Sequence, residues 1–186
     1  MDAYEQRFSL DTEWGDLRDA RFEACTFEGV DWSGKDLRGA RLEDCAFVEC
    51  DLSNVRTLGL GLQDVTFKGC KLVGLDFALC NTLGFEVRLE ECVVDSANFE
   101  GLDSRQVIWK GGRAHGADFT ACNLEGVVFD GVDLTDAVFE RTRLEGADFR
   151  TATGWRIRPD ENKLRGAKFH RTELEGLVAG WHLDLT

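Results

Sequence analysis

Proline, methionine and tyrosine each occur once in 186 residues, and histidine three times, at His115, His170 and His182. So few histidines leave little for acid–base chemistry, and no Ser or Cys stands in a recognisable nucleophile setting. Seven cysteines is an odd number with no CxxC pair, which argues against both a disulfide framework and a zinc knuckle. No apolar run approaches the roughly 18 residues of a membrane span. The start, MDAYEQRFSLDTEW, lacks the basic-then-apolar form of a secretory signal, so the chain is expected in the cytoplasm with no membrane partner. Basic residues are also short, 22 against 35 acidic ones for a net charge of −13. Direct nucleic-acid binding is therefore not expected, because phosphate recognition depends on Lys and Arg. These shortages point away from an enzyme, a cofactor or a metal. They leave an acidic surface suited to a basic partner.

Phenylalanine (13) and glycine (20) are abundant, and such bias suggests a repeat. Leu17, Phe22, Phe27, Trp32, Leu37, Leu42, Phe47 and Leu52 fall every fifth residue, continued by Leu62, Phe67, Leu72 and Phe77. A second phase, displaced by two residues, holds Leu89, Val94, Phe99, Trp109, Phe119, Leu124, Phe129, Leu134, Phe139, Leu144 and Phe149. A helix would place apolar residues three and four apart, and a strand every two. A period of five fits a chain that turns a corner every five residues and sends one large side chain inward from each side.

Two residues before the large one there is nearly always a small apolar residue, as at Ala20, Val30, Ala97 and Val127, and all seven cysteines occupy this position. A free Cys there is a small hydrophobe. Cys25 over Cys45 and Cys50 over Cys70 come within disulfide range on stacked coils, but parallel side chains in a reducing compartment argue against oxidation. Asp or Asn often separates the two inward positions, and glycine often follows two after the large residue, where a turn uses its backbone freedom. Four fives per coil stack residues twenty apart: Phe27, Phe47 and Phe67; Phe99, Phe119 and Phe139; Trp109, Phe129, Phe149 and Phe169. About seven coils at about 4.8 Å each give a rod of about 34 Å per subunit.

The units GADF, CNLEG, GVDLTDAVF and LRGAKF resemble the A-D/N-L/F-x-x motif of the pentapeptide-repeat proteins, over about residues 15 to 176. The resemblance implies an all-β fold, a right-handed, four-sided β-helix with a short C-terminal helix and tail. CDLSNV, VTFKGCKLVGLDF, ANFEGL and the end, TGWRIRPDENKLRGAKFHRTELEGLVAGWHLDLT, look like the group containing the quinolone-resistance (Qnr) proteins and the albicidin and microcin immunity proteins. Members of that group are non-enzymatic dimeric rods that bind DNA gyrase or topoisomerase IV as mimics of duplex DNA and protect it from antibiotics or toxins. The same implication would make this chain a homodimer with a type II topoisomerase as partner. An interaction scaffold for some other protein is the alternative.

The regular column is expected over residues 15–151, after a lead-in or cap at 1–14. A register shift is expected within 78–91, either a bulge that absorbs an insertion or a protrusion that contacts a partner, with Glu86 and Arg88 as candidates. The zone 102–116 sets Arg105, Lys110 and Arg113 into the acidic sheath, as solvated charges or as a specificity patch. On the regular coils Asp118, Asp133 and Asp148 are candidate partner contacts. Residues 152–163, with the single proline, are expected as a loop. Residues 156–171 hold six Lys or Arg against two Asp or Glu, a local charge of +4 that leaves −17 elsewhere. The last repeats and a dimerisation helix and tail fill 164–186. There Phe169, Leu174, Leu177, Val178, Trp181, Leu183 and Leu185 are the expected interface, since a solenoid end must be capped and these side chains are poor ones to leave wet.

Overall fold

The computed structural model describes residues 1–179; Trp181, Leu183 and Leu185 lie outside them. Strands β1 (Asp2–Tyr4), β2 (Arg7–Phe8), β3 (Arg21–Glu23), β4 (Thr26–Glu28), β5 (Arg41–Glu43) and β6 (Ala46–Val48) are followed by β7 (Gly61–Gln63), β8 (Val65–Lys68), β9 (Val87–Glu90), β10 (Val107–Lys110) and β11 (Phe129–Asp130). They stack as two parallel sheets, β1-β3-β5-β7 and β11-β10-β9-β8-β6-β4-β2. Isolated parallel bridges such as Asp31↔Asp51 and Asp36↔Arg56 make the other two sides. The result is a right-handed, four-sided β-helix.

The strands are short because a left-handed residue ends nearly every side. Gly34, Gly39, Gly126 and Gly131 have φ of 67°, 71°, 73° and 67°, and Asp19, Asp44, Asn54 and Ser96 take the same conformation at 50–56°. For a non-glycine residue this costs about 1–2 kcal/mol. The cost is offset because most corner amides find a partner one rung along: Asp19 donates to the Arg38 carbonyl at 3.0 Å, Gly39 to Leu58 at 3.0 Å and Gly59 to Leu79 at 2.8 Å. At Gly112 (φ +77°) only glycine serves, since a Cβ would strike the Cys92 amide and carbonyl.

Inside, the aromatic ladders form as the spacing predicts. Phe27 and Phe47 stack at 4.3 Å, Phe47 and Phe67 at 5.1 Å, and Phe99, Phe119 and Phe139 at 5.0 and 5.1 Å. Trp109, Phe129, Phe149 and Phe169 continue at 5.5, 5.0 and 5.4 Å. All seven cysteines are buried and unbridged. Burial pushes the Cys45 and Cys122 thiols up to about 11, so they remain protonated and pack as small hydrophobes. Polar residues at inward positions also find partners: the Thr57 hydroxyl donates to the Asp76 carbonyl at 2.7 Å, and Ser104 accepts from the Cys122 thiol at 3.3 Å.

The irregular segments are more orderly than their sequences suggest. Gly61 still pairs with Asn81, twenty residues on, but Val65 pairs with Val87. The two extra residues therefore lie between Asn81 and Val87, a narrower span than 78–91. Phe85 turns inward and is buried against Phe77, while Leu83 is 84% exposed. The lead-in at 1–14 supplies the first rung of both sheets through β1 and β2, and Trp14 packs over Phe8, Phe22 and Trp32. Its first turn pairs Asp2 with Arg21, one residue short of the usual count, which hides it from a strict five-residue search.

Residues 152–163 are likewise only partly a loop. Arg143 still pairs with Lys163, and Trp155 and Ile157 are buried core residues; only the turn around Pro159 leaves the column. Asn162 fastens that turn, donating to the Phe139 and Arg158 carbonyls at 2.8 and 2.9 Å. The expected closing helix is a 3₁₀ helix, Arg171–Leu177, with no buried residue. Its Gly176 lies against Trp155 with no room for a Cβ, because the helix crosses the end of the column at backbone contact.

Phe129 is fully buried between Trp109 and Phe149. Replacing it with alanine should cost about 3–5 kcal/mol by the cavity argument, measured by chemical denaturation. A loss below about 1 kcal/mol would contradict its place in the column.

Candidate interaction surface

Alternation within each short side keeps two residues of every five in the core and sends the charged ones outward. Many carboxylates are neutralised within their own rung. In Asp16/Arg18, Asp36/Arg38, Asp103/Arg105 and Asp148/Arg150, the aspartate accepts the arginine's backbone N–H and also its guanidinium. Hydrogen bonding from Arg18 and Arg38 holds the Asp16 and Asp36 carboxyls at about 2, and Arg105 and Arg150 lower Asp103 and Asp148 in the same way. Exposed pairs of this kind add little to stability, because solvent screens them. They chiefly determine which charges remain free.

The candidate contacts do not gather into one site. Asp148 is nearly buried beside Arg150 and Lys168. Asp133 faces His115 at 2.9 Å, and Arg113 is tied to Asp95 at 3.0 Å on the same side of the column. Glu86 and Arg88 bond to each other, with Asp64 alongside, and Arg105 belongs to its fork with Asp103. Lys110 lies on β10 and makes no ion pair among the described residues. Asp118 occupies a different side, and it marks the feature that matters.

That side is built from 74–79 (GLDFAL), 96–101 (SANFEG), 116–121 (GADFTA) and 136–140 (DAVFE), which contain five acids and no Lys or Arg. Asp76, Asn98, Asp118 and Val138 are consecutive rungs. Asn98 donates to Asp76 at 3.0 Å, and Asp118 accepts only the Thr120 amide, at 2.8 Å. Glu100 and Glu140 are exposed on the same rungs, and Asp136 sits at the adjoining corner with φ 59°. Arg141 lies 3.8 Å from Glu140, and Arg56 occupies the rung before Asp76 on the same side. Asp76, Glu100, Asp136 and Glu140 were not among the residues anticipated from sequence. Stacking at twenty conceals Asp76, because it pairs across the two-residue insertion with Asn98, twenty-two residues on.

Apolar side chains break the polar sheath at several points. Leu58, Leu79 and Leu83 are exposed near the insertion, and Ile108 and Val128 on neighbouring rungs of the seven-stranded sheet. Among the described residues no group of three His, Cys, Asp or Glu is placed to hold a metal, and no helix is long and apolar enough to cross a membrane.

Residues 16–54 and 115–150 match the model of the family Pentapeptide repeats, in eight copies. No curated protein matches the chain. Among solved structures, a trypsin-treated variant of QnrB1, a plasmid-mediated fluoroquinolone resistance protein, is 17% identical, with a TM-score of 0.54 over 100% of this chain and 98% of that one. A second trypsin-treated variant gives 16% and 0.49 over the same shares. HetL, a pentapeptide repeat protein involved in heterocyst differentiation regulation in the cyanobacterium Nostoc, gives 17% and 0.29 over 91% of this chain and 84% of its own. At these identities the likeness is one of fold.

The Asp36 fork has a defined pH signature. A carboxyl depressed in the folded state stabilises above its unfolded value near 4, and that contribution is lost as pH falls through about 2. Thermal stability should therefore drop on acidification through this window. Replacing Arg38 with Gln should raise the Asp36 titration midpoint, followed by carboxyl-carbon NMR; an unmoved midpoint would remove Arg38 as the cause.

Proposed function

We propose that this chain, which carries the fold of the pentapeptide-repeat proteins, is a non-enzymatic acidic rod that binds a type II topoisomerase, DNA gyrase or topoisomerase IV, in place of duplex DNA. Binding then modulates the enzyme or protects it from antibiotics or toxins. The observation that carries this reading is the acidic strip, whose four segments contain no Lys or Arg. Its five acids cover three rung spacings, about 14 Å of column at about 4.8 Å per rung. That is one charge per about 3 Å of axis, close to the one phosphate per about 3.4 Å of helix axis on one strand of DNA. A rigid row of negative charge at that density suits a basic groove shaped for a nucleic-acid backbone. The sequence motifs shared with the quinolone-resistance group, and the shared fold of a fluoroquinolone resistance protein, favour the same class of partner.

Charge attraction of this kind is screened by salt. Purified protein should bind gyrase tightly at low ionic strength and change its supercoiling, or its poisoning by quinolones or albicidin, at micromolar concentration. The triple substitution Glu100→Lys, Asp118→Lys, Glu140→Lys should weaken binding by about tenfold or more. Wild-type protein that leaves both supercoiling and poisoning untouched would end this proposal. A scaffold role for another partner is favoured by the exposed Leu58, Leu79 and Leu83, and a lysate pull-down recovering an unrelated protein and no topoisomerase subunit would support it.

The same reading makes the chain a cytoplasmic homodimer joined through its C-terminal end. Leu164, Phe169 and Leu177 are only partly buried against the end of the core, and Leu174 is exposed, so the closing helix leaves apolar surface for a second copy. Deleting residues 172–186 should yield monomer or aggregate on sizing; an intact soluble dimer would refute this interface.

A further inference from the structure

We propose that the last turn of the column carries a second interaction surface, a basic collar that takes an acidic protein segment. The acids within that turn are already committed: Arg158 binds Asp160 at 3.1 Å and Glu161 at 2.6 Å. Asp148, one rung below Lys168, is matched by Arg150 at 2.7 Å and lies 3.8 Å from Lys168, so one cation there is surplus. Glu125 is taken by Arg143 at 2.9 Å. Arg156, Lys163, Arg165 and Arg171 are exposed and make no ion pair among the described residues.

Backbone pairing fixes where these cations sit. Lys163 stacks on Arg143 and Lys168 on Asp148, on two different sides of the column. Arg156 is carried beside Ile157, whose amide donates to the Gly176 carbonyl of the closing helix, and Arg171 begins that helix. The positive charge thus wraps the end of the rod, which elsewhere carries −17.

The shape of this patch selects the class of anion. The collar is about one rung deep, about 4.8 Å along the axis. A DNA duplex laid across it would run on over Asp136, Glu140 and Glu145, whose charges repel phosphate, and would find too few cations for the six to ten phosphate contacts of a typical complex. A short segment of Asp and Glu side chains fits along Lys163, Arg165 and Lys168, clear of Glu173 and Glu175 of the closing helix, which share a cleft with Arg156. Opposite charge at the end and on the side of one rigid rod also fixes the direction in which the rod lies on a partner, since complementarity sets register.

The test is a fluorescence titration of the full chain at low salt with a labelled decapeptide of glutamate, alongside a short labelled DNA duplex. The peptide should bind the wild type, and Arg156→Glu, Lys163→Glu, Arg165→Glu should weaken it by about tenfold or more. The neutral set Arg156→Gln, Lys163→Gln, Arg165→Gln should fall between, and Glu100→Lys, Asp118→Lys should not weaken it. Unchanged circular dichroism in the variants would tie the loss to charge rather than folding. Absence of peptide binding, equal binding by the reversed variant, or tighter binding of the duplex would overturn the proposal. So would concentration-dependent assembly abolished equally by reversing the collar or the acidic strip, which would make the strip of a second copy the occupant.

Discussion

The hydrogen bond from a corner amide to the carbonyl one rung along is the interaction on which the rest of the structure depends. A chain that bends every five residues must place a left-handed residue at most corners, and no such residue is comfortable unless its amide is satisfied. The ladder satisfies it, and in doing so locks each coil directly over the last. Stacking then brings Phe over Phe and small residue over small residue, so the core is a continuous column. No coil could bury its inward side chains alone; each depends on its two neighbours.

The same stacking converts a one-dimensional repeat into a charge map. Because outward positions repeat every coil, like residues accumulate in columns along one side. Where an arginine follows an aspartate by two residues, the pair closes on itself and the column is locally neutral, as at Asp36 and Arg38. Where Phe119 is flanked by Asp118 and Thr120, no arginine closes on the carboxylate, and Glu140 beside Phe139 meets only Arg141, at 3.8 Å. A net charge of −13 thus becomes a mixed surface with an acid-rich strip and a basic end. Rigidity makes that pattern useful, since a ladder of backbone bonds holds the charges at fixed intervals that a flexible acidic segment would lose.

Much of the fold was legible because its rule is local. The inward positions, the glycine corners and the cysteine packing all follow from the spacing, and Phe129, Cys45 and Gly131 lie where it puts them. The misses share a cause. Trp155 and Ile157 occur in a stretch whose proline and charges read as a loop, yet the column needs large side chains to close its end. The first rungs escaped notice because their turn is one residue short. Of the anticipated contacts only Asp118 lies on the free strip, for Asp133, Asp148, Arg105 and Arg113 each have a close partner of opposite charge. A carboxylate's freedom depends on the neighbour two residues along or one coil away, and the one-coil interval changes across the insertion.

The amino-acid sequence by itself determined the four-sided coil, the identity of its core and the excess of acid on its surface. These are properties of period and composition, and they need no coordinates. Only the tertiary structure decided that the two extra residues lie between Asn81 and Val87, and with them which acids share a side. It also decided which cations at the far end make no ion pair among the described residues. The reason is that pairing between charges is a matter of distance in space, and that distance is set by rung-to-rung register rather than by separation along the chain.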